Sequence, residues 1–319
     1  KKKKMIFITI WMLRIGHGWS DEGICGSVEK VDYVGDGQHS MMIYEPNSTM
    51  IQAAVLWFEG SGWCGTNGSS DPCAEILAQG MACAAASYNS GSWPSQHKEA
   101  RAALRYIHTR YPNNKVGVLG HSSGSSLASF LWATELIPDV EIDPNMIPPL
   151  GPYPSASLKI DAAVLMSGQF HPYPINTPPC TQAQVWNKTL DNSACEYNYT
   201  LGNYSAAQKV NPALYLSSFS TQAIVPAPAM IFHGTNDSLV SACNAVELAQ
   251  AVENTSFPSS VSSKDYNYTV HLRLIQNASH GSYLETAYPI AATFLAKHLC
   301  PTFSSDAVAV GTSPHPLCK

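Results

Sequence analysis

The sequence predicts an α/β fold with a mostly parallel central sheet and helices on both faces. Short apolar runs alternate with helical patterns along most of the chain, and this alternation is typical of strand–helix–strand units. With 319 residues, the chain is long enough to bury one large core. Functional groups in such sheets gather beyond the carboxyl ends of the strands, so the residues that follow each predicted strand are the first candidates for a site.

The first half of the chain contains an opening hairpin and three buried strands. The turn GDG at 35–37 separates two short strand-like runs, and the continuous apolar runs that follow are typical of strands covered on both faces. Between 92 and 111, apolar residues recur on one helical stripe, which predicts an amphipathic helix. The predicted strands are 28–34, 40–44, 53–58, 82–88 and 116–119.

The second half continues the alternation but contains two interruptions. The segments 137–157 and 169–211 are rich in Pro, Tyr, Asn and Ser, and long irregular insertions in a compact domain are commonly functional. We therefore expect a single domain over 21–319 with an irregular cap made of both insertions; a surface decoration with no role at the site is the alternative. Strands are predicted at 160–166, 229–232 and 270–275, and helices at 123–136, 239–252 and 290–299, with Pro289 in the first turn of the last helix.

The surface composition favours a secreted glycoprotein. Only 13% of the residues are charged, against about 25% in ordinary soluble domains, so other groups must keep the surface hydrated. Nine N-x-S/T sequons predict N-linked glycans as partners. The net charge of −5, with no basic cluster beyond the N-terminus, gives no reason to expect nucleic-acid binding. The sequons begin at Asn47, Asn67, Asn187, Asn198, Asn203, Asn236, Asn254, Asn267 and Asn277.

The cysteines and the N-terminus favour the same compartment. Nine cysteines suit an oxidising environment, and since none has the spacing of a zinc site, we expect no metal. Residues 1–20 combine four lysines with an apolar run too short to span a bilayer, which is typical of a signal peptide. A retained arm that mediates homo-oligomer or larger assembly is the alternative. The candidate disulfides pair Cys180 with Cys195 and Cys300 with Cys318.

A candidate nucleophile lies in the segment GHSSG at 120–124. It fits the pattern G-x-S-x-G and falls between an apolar strand and a helix, which is the context that gives this pattern meaning. The turn is tight enough to require glycine two residues before and two residues after Ser122. The serine is then exposed at the N-terminal end of the following helix, whose dipole favours developing negative charge.

A serine nucleophile needs a base and an acid that orients the base. His280 lies in the loop directly after the last predicted strand, where a base can reach the nucleophile, and Asp237 lies just beyond the preceding strand. Asp265 and Asp161 are alternative acids, but both fall at the opposite end of the sheet. The segment 57–65 follows the third strand and is rich in small residues, so its backbone N–H groups and that of Ser123 are candidate oxyanion donors.

Together these motifs resemble the α/β-hydrolase superfamily across nearly the whole chain after residue 20. The segments GSGW at 60–63 and HGTND at 233–237 are similar to the H-G-G-G-[WF] and H-G-x-x-D motifs of its carboxylesterase and feruloyl-esterase-like branch. The pair WP at 93–94 fits that branch too, and FEGSGWC at 58–64 also resembles the L-E-G-G-G-W-C segment of pectin acetylesterases.

The resemblance implies a nucleophile at Ser122, an acid at Asp237 and a base at His280, in the chain order of that superfamily. It also places the oxyanion hole at Ser61, Gly62 and Ser123. Two departures stand out: Glu59 replaces a histidine of the first motif, and Ser61 replaces a glycine of both.

The expected function is that of a secreted, extracellular serine esterase that needs no metal or organic cofactor. Its substrate is expected to be a small-molecule or polysaccharide ester, with Trp63 and Trp93 as substrate-binding residues, an expectation based largely on analogy of fold. Two alternatives remain. The same three residues cleave amides in serine peptidases, and the sequons at Asn236 and Asn277 flank the acid and the base, which suits a structural or assembly glycoprotein that uses a hydrolase fold.

Overall fold

The computed structural model describes residues 26–47, 50–69, 71–170, 209–221, 225–255 and 270–300. Within these ranges the strands are β1 (Gly26–Asp32), β2 (Ser40–Pro46), β3 (Ala53–Phe58), β4 (Gly65–Thr66), β5 (Ala82–Ala86), β6 (Tyr88–Asn89), β7 (Lys115–His121), β8 (Ala162–Met166), β9 (Ala229–Gly234) and β10 (Val270–Ile275). The helices are α1 (Cys73–Ala78), α2 (Ser95–Arg110), α3 (Ser123–Thr134), α4 (Asp139–Ile142), α5 (Leu216–Thr221), α6 (Cys243–Glu253) and α7 (Leu284–Leu299), with 3₁₀ turns at Pro144–Met146 and Pro212–Tyr215.

Eight of these strands form one central sheet in the order β1-β2-β5-β3-β7-β8-β9-β10. The hairpin β1–β2 and the pair β2–β5 are antiparallel, and the remaining neighbours are parallel. The predicted α/β fold is therefore confirmed. The register pairs Phe58 with Gly120, and Met166 with both His121 and Phe232, so the carboxyl ends of β3, β7, β8 and β9 meet at one edge.

The sheet is covered on both faces, as expected. All six residues of β3 are buried, and because successive strand residues point to opposite faces, they contribute to two separate hydrophobic clusters. Leu56 packs in the cluster that contains residues of α2, α3 and α6, such as Leu104. Val55 packs in the cluster that contains residues of α1 and α7, such as Leu295. The two clusters together make the core.

The last helix differs from the prediction at its start. It begins at Leu284, so Pro289 lies inside it and not in its first turn. The missing proline N–H removes one helical hydrogen bond. The helix nevertheless continues, because Ala287, Ala291 and Leu295 pack against the sheet from before and after the proline. Tertiary packing here overrides a local signal.

The cysteines also correct the sequence reading. Cys73 and Cys83 form a disulfide that joins α1 to β5, and Cys64 and Cys243 each take part in a further disulfide. Cys300 is a free thiol, only 5% exposed at the end of α7 within the core, so its predicted bridge to Cys318 is wrong. Cys318 and the other candidate pair, Cys180 and Cys195, lie outside the described residues.

The first predicted insertion, 137–157, is fastened to the domain by an ion-pair cluster. Asp139 contacts Arg101 at 2.5 Å and Arg105 at 2.8 Å, both on α2, and all three side chains are buried. The second predicted insertion, 169–211, lies outside the described residues except at its two ends. Residues 1–20 lie outside the described residues entirely. In the part of the chain that the structure describes, no helix has the length and apolar character to cross a membrane.

The sequons within the described residues all lie at the surface. This position is compatible with glycosylation, which stays a prediction. Their asparagines are exposed: Asn47, Asn67, Asn236, Asn254 and Asn277. Four predicted sites fall outside the described residues: Asn187, Asn198, Asn203 and Asn267.

Candidate active site

The turn between β7 and α3 holds Ser122 in an uncommon backbone conformation. Its φ of 55° and ψ of −126° are sparsely populated by residues other than glycine, and its N–H donates to the Met166 carbonyl at 2.8 Å. A Cβ at Gly120 would lie 2.3 Å from the Gly124 carbonyl oxygen, and one at Gly124 would lie 2.2 Å from the Phe58 carbonyl oxygen. Both glycines are therefore required for this close approach, as the motif predicts.

The structure brings Ser122, His280 and Asp237 together at the carboxyl edge of the sheet. His280 Nε2 lies 2.8 Å from Ser122 Oγ, and His280 Nδ1 lies 2.8 Å from Asp237 Oδ2. Both distances are within hydrogen-bond reach for proton transfer between a nucleophile, its base and an orienting acid. The His280 side chain is 18% exposed, so a substrate can approach it from solvent.

The Asp237 carboxylate is buried and accepts several hydrogen bonds. Oδ1 accepts from the backbone N–H groups of Leu239 at 3.0 Å and Val240 at 2.9 Å, and Oδ2 lies 3.3 Å from His233 Nε2 as well as beside His280. Burial raises the pKa of Asp237, but the hydrogen bonds from His233 and His280 outweigh it and hold the pKa below its ordinary value. The carboxylate therefore fixes a proton on His280 Nδ1, which leaves Nε2 free to accept one.

The three predicted oxyanion donors differ in how they are engaged. The Ser61 N–H donates to Ser123 Oγ at 2.9 Å, so this group already has an acceptor and its predicted role stays a prediction. Within the described residues the N–H groups of Gly62 and Ser123 donate no hydrogen bond. Ser123 opens α3, where the first N–H groups have no intrahelical partner. These two N–H groups are the candidates for an oxyanion hole.

With this geometry in place, comparison with known proteins gives the family. The sequence matches the model of the BD-FAE family over residues 41–252. The chain belongs to the BD-FAE family. It is accordingly a carboxylic-ester hydrolase with the α/β-hydrolase fold. The matched region contains Ser122 and Asp237 and ends before His280. No curated protein matches the chain.

Solved structures similar to this BD-FAE chain include several esterases. A truncated carbohydrate esterase from gut microbiota has a TM-score of 0.64 at 20% identity, over 87% of this chain and 98% of that one. An esterase from Thermogutta terrifontis has a TM-score of 0.60 at 20% identity, over 88% and 95%. A bifunctional GH43-CE protein of Bacteroides eggerthii has a TM-score of 0.64 at 19% identity over 86% of this chain, which spans 38% of that protein's length. At these identities the likeness establishes the fold.

In this BD-FAE chain, His121, the residue before Ser122 in the G-x-S-x-G motif, is hydrogen-bonded to the loop that carries His280. His121 Nε2 donates to the His280 carbonyl at 3.0 Å, and the two rings lie 5.2 Å apart between centroids. Burial lowers the pKa of His121 to about 4, so its ring is neutral at neutral pH and adds no charge beside the base. Sequence reasoning treated His121 only as the variable residue of the motif.

A buried tyrosine fastens the oxyanion loop to the nucleophile turn. The Tyr88 hydroxyl donates to the Glu59 carbonyl at 2.7 Å and also contacts Ser61 Oγ at 3.0 Å and Ser123 Oγ at 3.1 Å. Since its only hydrogen goes to the carbonyl, the two serine hydroxyls donate to it. Burial raises the Tyr88 pKa to about 12, which keeps this hydrogen in place. The only sequence signal for Tyr88 is its position at the end of the predicted strand 82–88.

The two tryptophans predicted to bind substrate occupy different environments. Trp63 is 2% exposed, its indole N–H donates to Gln169 Oε1 at 3.1 Å, and its carbonyl accepts from Gln96. These contacts give Trp63 a structural role in the described residues, and its predicted contact with substrate stays a prediction. Trp93 is half-buried and lines a cavity whose lining does not include Ser122, Asp237 or His280, and its role stays a prediction. The described residues contain no cluster of His, Cys, Asp and Glu that could hold a metal ion.

Proposed function

We propose that this BD-FAE chain hydrolyses carboxylic esters through an acyl-enzyme on Ser122, with His280 as general base and Asp237 as its orienting acid. The observation that carries the proposal is the unbroken hydrogen-bonded chain from Ser122 Oγ through both nitrogens of His280 to Asp237, with both contacts at 2.8 Å. Packing alone does not require these three side chains to meet at the end of a sheet.

In the first half-reaction, Ser122 Oγ attacks the ester carbonyl carbon while its proton moves to His280 Nε2. The imidazolium that forms is stabilised by the buried Asp237 carboxylate. The N–H groups of Gly62 and Ser123 donate to the carbonyl oxygen as it becomes negative, and losing one such donor typically costs about 2.7–4 kcal/mol of transition-state stabilisation. His280 then passes the proton to the leaving alcohol oxygen as the C–O bond breaks.

In the second half-reaction, water attacks the acyl-enzyme. His280 Nε2 takes a proton from the water, the tetrahedral adduct forms on the same two donors, and the proton returns to Ser122 Oγ as the carboxylic acid leaves. Every proton taken by His280 is thus passed on, and Ser122 is restored for the next cycle.

We further propose an extracellular setting and an acylated carbohydrate as substrate. The nine sequons and the low charged fraction support secretion with N-linked glycans, and the exposure of all five described sequon asparagines is compatible with it. The carbohydrate esterase among the similar structures supports the substrate class by analogy of fold.

The test compares Ser122→Ala with the wild-type full chain in turnover of 4-nitrophenyl acetate. We expect kcat to fall by about 10⁴-fold or more, because the nucleophile is lost while binding remains. Ser27→Ala is the matched control, since Ser27 is exposed on β1 at the far side of the sheet, and its kcat should stay within twofold. Undiminished turnover in Ser122→Ala would contradict the proposal.

A second candidate is a glycoprotein with an assembly role and no turnover. The exposed Asn236 and Asn277 lie beside Asp237 and His280 in sequence, and glycans on both would crowd the approach to Ser122. Mapping glycans at these asparagines together with fluorophosphonate labelling of Ser122 separates the two candidates. Labelling with Asn236 unmodified favours the esterase, and no labelling with both asparagines modified favours the assembly role.

A further inference from the structure

A cavity outside the triad lies at the start of α2. Its volume is about 330 Å³, and its lining includes Trp93, Lys98, Glu99, Asn145 and Leu150. None of the triad residues or the oxyanion donors lines it. The lining combines an indole, an aliphatic side chain and several hydrogen-bonding groups, the combination with which binding sites commonly orient a polar ligand.

The cavity lies at the same edge of the sheet as the nucleophile. The Asn89 N–H donates to Glu99 Oε2 in the cavity wall at 2.7 Å. The preceding residue, Tyr88, donates to the Glu59 carbonyl in the oxyanion loop at 2.7 Å. Only the two-residue strand β6 therefore separates the cavity wall from that loop. A second link runs from Gln96 on α2 to the Trp63 carbonyl at 2.8 Å.

The indole in this cavity is held in place. Trp93 packs edge-on against His97, with centroids 4.5 Å apart, and against Phe130, at 5.6 Å. Its indole N–H donates to Asp143 Oδ2 at 3.2 Å. A fixed aromatic ring with part of its surface open to a cavity gives the C–H groups of a sugar ring a flat apolar surface to pack on, with little conformational entropy lost on binding.

The cavity is also lined by a lysine, Lys98, for which the described residues supply no anionic partner. Lys98 is half-buried. Its neighbour Glu99 is occupied elsewhere: Oε2 accepts from Asn89 and Oε1 accepts from Ser95 Oγ at 3.3 Å. Glu99 Oε1 also lies 3.3 Å from His39 Nε2. The ammonium group of Lys98 is therefore free for an anionic group of a ligand.

From these features we infer that the cavity binds a carboxylated sugar unit, with its carboxylate on Lys98 and its ring against Trp93. The inference rests on the proposed esterase function and narrows the substrate to an acylated acidic glycan. One sugar of the glycan occupies the cavity while a neighbouring acylated unit reaches Ser122. Asn145 and the hydroxyl groups of the lining supply hydrogen bonds to the sugar hydroxyls.

The test measures binding of a galacturonate trimer to the full chain by titration calorimetry, beside the same trimer with its carboxyl groups methyl-esterified. We expect the acidic trimer to bind at least tenfold more tightly than its neutral ester, and added salt to weaken its binding. Lys98→Met should weaken binding of the acidic trimer about tenfold, the loss expected for one charge-assisted hydrogen bond, and Lys98→Arg should restore most of it.

Lys297→Met is the matched control, because Lys297 is an exposed lysine on α7; it should leave both trimer binding and turnover of 4-nitrophenyl acetate unchanged. Equal binding of the acidic and the esterified trimer, or unchanged binding in Lys98→Met, overturns the inference. If either of these binding results is found while the wild type turns over 4-nitrophenyl acetate normally, only the inference about the sugar site is wrong. Undiminished turnover in Ser122→Ala means that the proposed function itself is wrong.

Discussion

Replacing Asp237 by asparagine tests whether the proton on His280 is placed by this carboxylate. Within the described residues, the Asp237 carboxylate contacts only hydrogen-bond donors: the backbone N–H groups of Leu239 and Val240 at Oδ1, and the nitrogens of His280 and His233 at Oδ2. An amide has the same shape but carries an NH₂ group at one of the two positions. One side of the site must therefore meet a donor where it now meets an acceptor.

The position of the NH₂ group decides the outcome. At Oδ1 it would face two backbone N–H groups at 2.9 and 3.0 Å, and neither can change its protonation. At Oδ2 it faces His280, whose ring can move its proton from Nδ1 to Nε2 and accept from the amide. This second orientation loses fewer hydrogen bonds, so we expect Asp237→Asn to adopt it. His280 Nε2 then carries a hydrogen towards Ser122 Oγ and cannot act as a base.

The expected loss is large because the base is removed while the fold is kept. The same change in a serine protease triad lowers kcat about 10⁴-fold, equivalent to about 5.4 kcal/mol in the activation barrier. We expect a loss of this size in kcat for 4-nitrophenyl acetate, with far-UV circular dichroism unchanged.

The matched control is Asp161→Asn, since Asp161 also accepts a backbone hydrogen bond, from Val116 at 3.0 Å, but lies before β8 at the opposite end of the sheet. Its kcat should stay within twofold of the wild type. A folded Asp237→Asn variant that keeps more than about a tenth of wild-type kcat would refute the assignment of the acid, because the wrong-tautomer argument predicts a loss near 10⁴-fold.

Three further predictions follow from other parts of the structure. Tyr88→Phe removes the hydroxyl that holds the oxyanion loop and should lower kcat for 4-nitrophenyl acetate about 10- to 100-fold with KM nearly unchanged; an unchanged kcat contradicts this role. Replacing Cys73 and Cys83 by alanine opens a disulfide with a sequence separation of 10, and should lower the free energy of unfolding in urea by about 2.7 kcal/mol from loop entropy; no loss contradicts it. Burial raises the pKa of Glu135 to about 7. Because the folded protein favours the protonated form, stability should fall as pH rises from about 4.5 through 7. Glu135→Gln should remove that part of the fall, as measured by urea unfolding at pH 5 and pH 8; an equal fall in the variant contradicts it.

That Ser122, Asp237 and His280 lie near one another could be predicted, because each carries a local signal. Ser122 lies in a glycine-flanked turn, and Asp237 and His280 directly follow predicted strands. Since parallel strands present their carboxyl ends at one edge, the order of elements was enough to place the three side chains near one another.

Which way the surrounding groups point could not be predicted. The Ser61 N–H is taken by the hydroxyl of Ser123, 62 positions along the chain, and no pattern around Ser61 signals this. Trp63 is an aromatic residue of the kind that commonly contacts substrate. Its surroundings could not be predicted, because it is hydrogen-bonded to Gln96 on α2 and to Gln169 beyond β8.

The α/β architecture follows from the order of residues alone, because local hydrophobic periodicity distinguishes buried strands from amphipathic helices. The nucleophile turn follows in the same way, because the glycine spacing there reflects a local steric limit. Three features could be seen only in the folded chain: Tyr88 donates to the Glu59 carbonyl, His121 donates to the His280 carbonyl, and Cys300 is a buried free thiol. Hydrogen bonds and thiol pairing depend on ångström-scale distances between residues far apart in the chain, and these distances are set by the packing of the whole core.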